Sequence, residues 1–256
     1  MIGYEKSKED FKRLADSDNL SHAYLFFGEP QVGKFLFASS LANYLENHKF
    51  EEPKNPLRET LVVSRETIGI DDIRSMQNFL YQKPVFSPRR LVIIRDAENL
   101  TPEAQNAILK IIEEPPFQSL AIFVVNNSDV LLPTLVSRMQ KIYFPRIDTK
   151  EIADFLKKNF RLSETKTKSI AQESFGRPGR AIDSINNLKL RIKNAEISKI
   201  VEDNQIDEFF ESLIVDLHKE PVKNYAKLKQ ALRCLASMKQ FNVNKKLQIN
   251  ALLKNL

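Results

Sequence analysis

Two patterns of apolar residues divide this chain. In its first part they fall in short unbroken runs: Ala23-Tyr24-Leu25-Phe26-Phe27, Leu61-Val62-Val63, Leu91-Val92-Ile93-Ile94 and Leu120-Ala121-Ile122-Phe123-Val124-Val125. A run that is apolar at every position has two faces to bury. That is the signature of a strand in a parallel sheet covered on both sides. Between the runs, apolar residues recur at helical spacing: Phe11, Leu14 and Ala15 within 7–18, then 36–45, then Ile73, Met76, Phe79 and Leu80, then Ile108, Ile111 and Ile112. Residues 140–144 complete the strand pattern. Strands that alternate with helices predict right-handed βαβ units and a parallel sheet, an α/β fold.

Punctuation supports these boundaries. Gly69-Ile70-Asp71-Asp72 places acids in the first turn of a helix, and Lys83-Pro84 ends it. Thr101-Pro102 supplies a cap and a proline at the first helical position, and Pro115-Pro116 stops that helix. From Thr149 onward only helical spacing is found: 150–159, 163–174, 178–187, and later a pattern through Tyr225, Leu228, Leu232 and Leu235.

Composition narrows the setting. The chain has 256 residues, 42% hydrophobic and 28% charged, and no apolar stretch long enough to span a bilayer, so membrane insertion is not expected. The first residues lack the apolar core of a signal peptide, and a lone Cys234 offers no disulfide framework; a cytoplasmic protein is expected. Net charge is +6, and from Pro221 onward there are eight Lys or Arg and no acid. Such a stretch is either a solvated helix face or a contact for nucleic acid or an acidic partner.

The candidate chemistry centres on Gly28-Glu29-Pro30-Gln31-Val32-Gly33-Lys34-Phe35, set between the first strand and the helix that follows. Strand, glycine-flanked turn and helix form the context of a phosphate-binding loop. Gly28 and Gly33 let backbone N–H groups curl around phosphate oxygens, and Lys34 reaches the outer phosphates. The next position of such a loop carries a hydroxyl that holds Mg²⁺. Here it is Phe35, which has no oxygen to offer a hard cation.

The residues His22-Ala23-Tyr24-Leu25-Phe26, Gly69-Ile70-Asp71-Asp72-Ile73-Arg74, Asn106-Ala107-Ile108-Leu109-Lys110, Glu113-Glu114-Pro115-Pro116 and Leu132-Pro133-Thr134 with Ser137-Arg138 form an ordered set. Together they resemble the AAA+ sliding-clamp loader family of bacterial DNA polymerase III, and within it the delta-prime type of subunit. The resemblance covers about residues 3–185. It implies an AAA+ α/β nucleotide-binding-like domain over 1–146, a three-helix lid over 147–187 and an all-α collar over 188–256 that serves oligomerisation.

The resemblance also implies roles. Ser137-Arg138-Met139 falls on the family's Ser-Arg-Cys motif, so Arg138 is expected to be an arginine finger acting on a nucleotide bound by a neighbouring subunit. Active relatives carry adjacent Asp and Glu after the third strand, for metal and water. In the ungapped register Arg95 and Asp96 fall there; in the alternative register Asp96 is the metal carboxylate. Either way Phe35 removes the hydroxyl, so the chain is expected not to hydrolyse ATP and to bind ATP or ADP weakly at most. Many relatives hold zinc through four cysteines after the phosphate loop; residues 46–60 contain none, and zinc is not expected.

Asn126 resembles the sensor 1 residue, or else caps a strand end. Arg180 resembles the sensor 2 arginine, or else lies on a helix face. Glu113 and Glu114 are read as structural, contacting the next segment. The implied partners are a gamma/tau-type ATPase subunit, a delta subunit, the sliding clamp and primer-template DNA. Two other readings stay open: a self-sufficient AAA+ ATPase, such as a gamma/tau-type loader subunit or another DNA-processing motor, and a DNA-binding module built on the basic tail.

Overall fold

In the computed structural model the described residues are 2–160, 162–186 and 221–240, with 210, 213, 214, 217, 244, 247–249, 251 and 252. The chain divides into two compact units, Met1–Ile182 and Asp183–Leu256.

The first unit is built on five parallel strands: β1 (Ala23–Phe27), β2 (Thr60–Val63), β3 (Arg90–Ile94), β4 (Ser119–Val125) and β5 (Gln140–Tyr143), in the order β2-β3-β4-β1-β5. β4 lies at the centre, with Leu25 opposite Phe123 on one side and Ile93 opposite Ile122 on the other. All seven of its residues are buried. Because successive side chains point to opposite faces, the continuous apolar runs of β1, β3 and β4 feed two cores. β2, expected to be covered on both sides, is instead an edge strand that leaves Val62 44% exposed and fully buries only Val63 of its apolar run.

On one face Tyr24, Phe26, Leu91, Ile93, Ile122 and Val124 pack with Phe11 of α1 (Glu5–Asp16) and Phe37 and Leu41 of α2 (Lys34–Asn47). On the other, Leu25, Val92, Ile94, Phe123 and Val125 pack with Ile73 and Met76 of α3 (Ile70–Leu80) and Ile108 and Ile112 of α4 (Pro102–Glu113). The short α5 (Pro133–Val136) adds Leu135 to this second core.

Element edges differ slightly from the sequence expectation. The helix expected over 36–45 spans Lys34–Asn47, because it starts directly after Gly33. The last strand stops at Tyr143, although the Phe144 N–H still bonds the Phe27 carbonyl at 2.8 Å and its ring joins the core. After β5 come α6 (Thr149–Asn159), α7 (Glu164–Glu173) and a helical stretch over 178–186.

In the second unit the helix Pro221–Gln240 packs Ala231, Cys234 and Met238 with Phe210, Ile249 and Leu252. Burial pushes the Cys234 thiol up from its ordinary value. Lys229 and Arg233 of the basic stretch are exposed on this helix; Lys245, Lys246 and Lys254 lie outside the described residues. Among the described residues, no helix is long and apolar enough to cross a membrane.

Candidate functional site

The turn from β1 to α2 sits at the C-terminal end of the central strands, where open α/β sheets place their ligands. Gly28 has φ +142°, and a Cβ there would stand 2.4 Å from the Phe144 carbonyl oxygen. Only a glycine lets β1 enter the turn this close to the end of β5. Gly33, with φ +109°, caps α2.

Lys34 is 5% exposed. Its Nζ donates to the Gly28 and Glu29 carbonyls, both at 2.6 Å, and to Asn126 Oδ1 at 3.1 Å. Burial pulls its pKa down to about 8, against the opposing pull of Glu98, Asp96 and Glu29. Asn126 in turn donates from Nδ2 to Glu98 Oε1 at 2.6 Å, and the second oxygen of Glu98 is buried without a hydrogen bond. Lys34, Asn126 and Glu98 therefore form one chain of hydrogen bonds across the end of the sheet.

Other carbonyls of the loop also meet donors of the same chain. The Gln31 carbonyl accepts from the Gly179 N–H at 3.0 Å. The Tyr4 hydroxyl donates to the Pro145 carbonyl at 2.7 Å and lies 3.2 Å from that of Val32. The Glu29 carboxylate accepts from Arg146 Nε at 2.8 Å, which holds its pKa below the usual range.

Phe35 packs its ring against the α1–α2 core. The Arg95 guanidinium lies 4.8 Å from the centre of that ring, and its Nε is 3.6 Å from Asp96 Oδ2. The position that would carry the metal-binding hydroxyl thus holds a phenyl ring with a fixed positive charge on it. A guanidinium has no acceptor and repels a divalent cation. Together with the commitment of Lys34 to its own loop, these residues do not fit a Mg²⁺-bound triphosphate.

Arg138 belongs to a separate cluster. It follows α5, and its Nη1 donates to the Thr134 carbonyl at 2.8 Å, while Nη2 is 2.8 Å from Glu113 Oε1 at the end of α4. Ser137 Oγ donates to the same Thr134 carbonyl at 3.0 Å. Arg180 stacks over the Phe175 ring at 5.2 Å. Of the residues singled out from sequence, Gly28, Gly33, Lys34, Asp96 and Asn126 gather at the loop, Ser137 and Arg138 lie where α4 meets α5, and Arg180 follows Gly179, whose N–H bonds the Gln31 carbonyl of the loop. Glu98 was not singled out. Its position two residues after Asp96 carries no motif, and only the fold brings it to Asn126.

A family model described as DNA polymerase III, delta subunit, matches residues 3–148. The DNA polymerase III subunit delta' of Bacillus subtilis (strain 168) is 30% identical over 155 residues, 55% of this chain and 47% of that protein. The subunit gamma/tau of Mycoplasma pneumoniae is 26% identical over 159 residues, 57% of this chain and 23% of that protein. The chain thus spans less than half the length of these curated relatives. Among solved structures, the RuvB Holliday junction branch migration motor of Thermotoga maritima superposes with a TM-score of 0.53 at 17% identity, covering 78% of this chain and 64% of that one. That likeness is one of fold alone, an α/β arrangement of parallel strands and helices.

Proposed function

This chain belongs to the DNA polymerase III delta-subunit family, a clamp-loader family, and from that premise we propose that it is a clamp-loader subunit of the delta-prime kind. In this reading it does not hydrolyse ATP. It lends Arg138 to the triphosphate of a neighbouring gamma/tau-type ATPase subunit, in an assembly that also contains a delta subunit, the sliding clamp and primer-template DNA. Residues 147–187 are its lid and 188–256 its collar. What carries the reading is the Phe35–Arg95 stack, 4.8 Å across, where an active site needs a metal-binding hydroxyl and a carboxylate. Phosphoryl transfer depends on positioning and charge neutralisation, and here the cation that would neutralise charge is opposed by one already in place.

Arg138 suits the opposite role. Its guanidinium is permanently charged, its side chain is 41% exposed, and only two of its five N–H donors are engaged in the contacts described. The test is to reconstitute the loader with Arg138→Ala. Turnover at the neighbouring ATPase site should fall by about 10³-fold or more. Unchanged DNA-stimulated turnover would reject the role in trans.

A second reading, a self-sufficient AAA+ ATPase, draws on Gly28, Gly33 and Lys34 and on the similarity to gamma/tau subunits. Mg²⁺-dependent ATP hydrolysis by the isolated protein, abolished by Lys34→Ala, would favour it.

A further inference from the structure

The proposed finger is not free on the surface. Its two terminal nitrogens are held from two different elements: Nη1 by the carbonyl of Thr134 in α5, and Nη2 by the carboxylate of Glu113, the last residue of α4. We propose that Glu113 is a positioning residue for Arg138, fixing the plane and direction of the guanidinium before any partner arrives. This rests on the reading of Arg138 as a group that acts on a neighbour.

The physical argument starts from freedom. An arginine has much rotamer entropy, and a free one must lose a large part of it as it engages phosphate oxygens. A guanidinium held at both ends of its fork has already lost it, within the folded protein. The fork is planar, so two bonds to two elements set its plane, which one bond does not. The hold leaves Nε and one N–H on each terminal nitrogen uncommitted in these contacts, enough to face an incoming oxyanion. The frame is firm as well. α4 and α5 pack directly on each other, and Ile112 and Leu135, each next to or near the pair, are both in the α3–α4 core.

The pair is 45% exposed at Glu113 and 41% at Arg138, so it adds little to stability. Its value is in aim rather than in folding energy, and that separates the proposal from a merely structural role.

The experiment uses the reconstituted loader and reads DNA-stimulated ATP turnover for four forms: wild type, Glu113→Ala, Arg138→Ala and the double substitution. Glu113→Gln is the conservative control, since its amide oxygen can still accept from Nη2. Glu113→Ala should lower kcat about two- to fivefold, the effect of an exposed pair worth up to ~1 kcal/mol. KM for ATP should stay nearly unchanged, and Glu113→Gln should keep most of the rate. In the Arg138→Ala background, Glu113→Ala should have no further effect.

An unchanged or raised rate in Glu113→Ala, beside a clear loss in Arg138→Ala, would overturn the positioning role and leave the finger standing. An equal loss from Glu113→Ala with or without Arg138 would also overturn it, by showing a structural effect. If Arg138→Ala itself leaves turnover unchanged, the finger reading fails and this inference fails with it. Thermal melts of each variant, alone and in the assembly, verify that it is folded and incorporated.

Discussion

Arg95 lies over Phe35, its guanidinium carbon 4.8 Å from the ring centre, so the two side chains that depart from the pattern of a metal-binding phosphate loop support each other. The ring that replaces a hydroxyl gives the arginine a surface to stack on, and the arginine covers part of that ring. Reversing only one of them therefore should not restore the site. We expect Phe35→Thr alone to produce no Mg²⁺-dependent ATP binding, because Arg95 remains to oppose the metal. Phe35→Thr with Arg95→Asp should gain it, tightening Kd by about tenfold or more. Titration calorimetry with ATP, with and without Mg²⁺, separates the cases. A metal-dependent gain in Phe35→Thr by itself would show that Arg95 does not matter.

Lys34 sets a pH dependence of stability. Its pKa is drawn from an ordinary 10.5 down to about 8 in the folded chain, chiefly by burial. Between those values the unfolded chain binds the proton and the folded chain does not. Stability contributed by this group therefore rises as pH climbs through that window. Lys34→Met lacks the titration. Urea midpoints of the two proteins should converge or cross as pH increases above about 8, the wild type gaining relative to the variant. Parallel curves would mean that Lys34 keeps its charge at ordinary pKa.

How much of this could be read from the residue order depends on where each feature gets its energy. β3 and β4 were legible because both their faces are buried, so the apolar run has no gap. β5 was less sharply bounded, since at the sheet edge Gln140, Lys141 and Tyr143 are exposed and only Ile142 and Phe144 reach the core. The turn between β1 and α2 was legible from two glycines and a lysine at fixed spacing. The fate of that lysine was not, because its third acceptor, Asn126, is 92 positions away. Glu113 was read as a structural contact to the next segment; its ion-pair partner instead lies beyond β4, directly after α5. That its partner is Arg138 follows from the packing of α4 on α5, which spacing alone does not reveal.

Glu59 is the buried charge on which one end of the sheet depends. It is 3% exposed; Oε1 accepts from the Val85 N–H at 2.9 Å and the Phe86 N–H at 3.3 Å, and Oε2 is 3.2 Å from Arg90 Nε. Arg90 is itself stacked 4.6 Å from the Phe79 ring. Glu59→Ala leaves a largely buried guanidinium, 12% exposed, and two backbone donors without their partner. The cost should be about 3 kcal/mol or more, and Tm should fall by about 6–12 °C. Glu59→Gln keeps an acceptor for the two N–H groups and should lose less than half as much. Equal losses in the two variants would place the effect in packing rather than in charge.

The two glycines of the loop make different demands, and substitution should rank them. Both have positive φ, +142° at Gly28 and +109° at Gly33, so alanine strains the backbone at either position. That strain alone is worth about 1–2 kcal/mol. At Gly33 an added Cβ meets nothing within 4 Å, so the cost of Gly33→Ala should stop there. At Gly28 the same atom would lie 2.4 Å from the Phe144 carbonyl oxygen, and a backbone atom cannot swing aside. Relief requires the end of β5 to move off β1, breaking the 2.8 Å bond from the Phe144 N–H to the Phe27 carbonyl and unseating the Phe144 ring from its core. Gly28→Ala should therefore cost more than about 4 kcal/mol, at the upper end of single substitutions, and yield a protein that melts far below Gly33→Ala or fails to fold. Thermal melts of the two variants, followed by circular dichroism, give the comparison. Similar melting points would mean that β5 can shift at little cost, and that the close approach at Gly28 is not what fixes the loop.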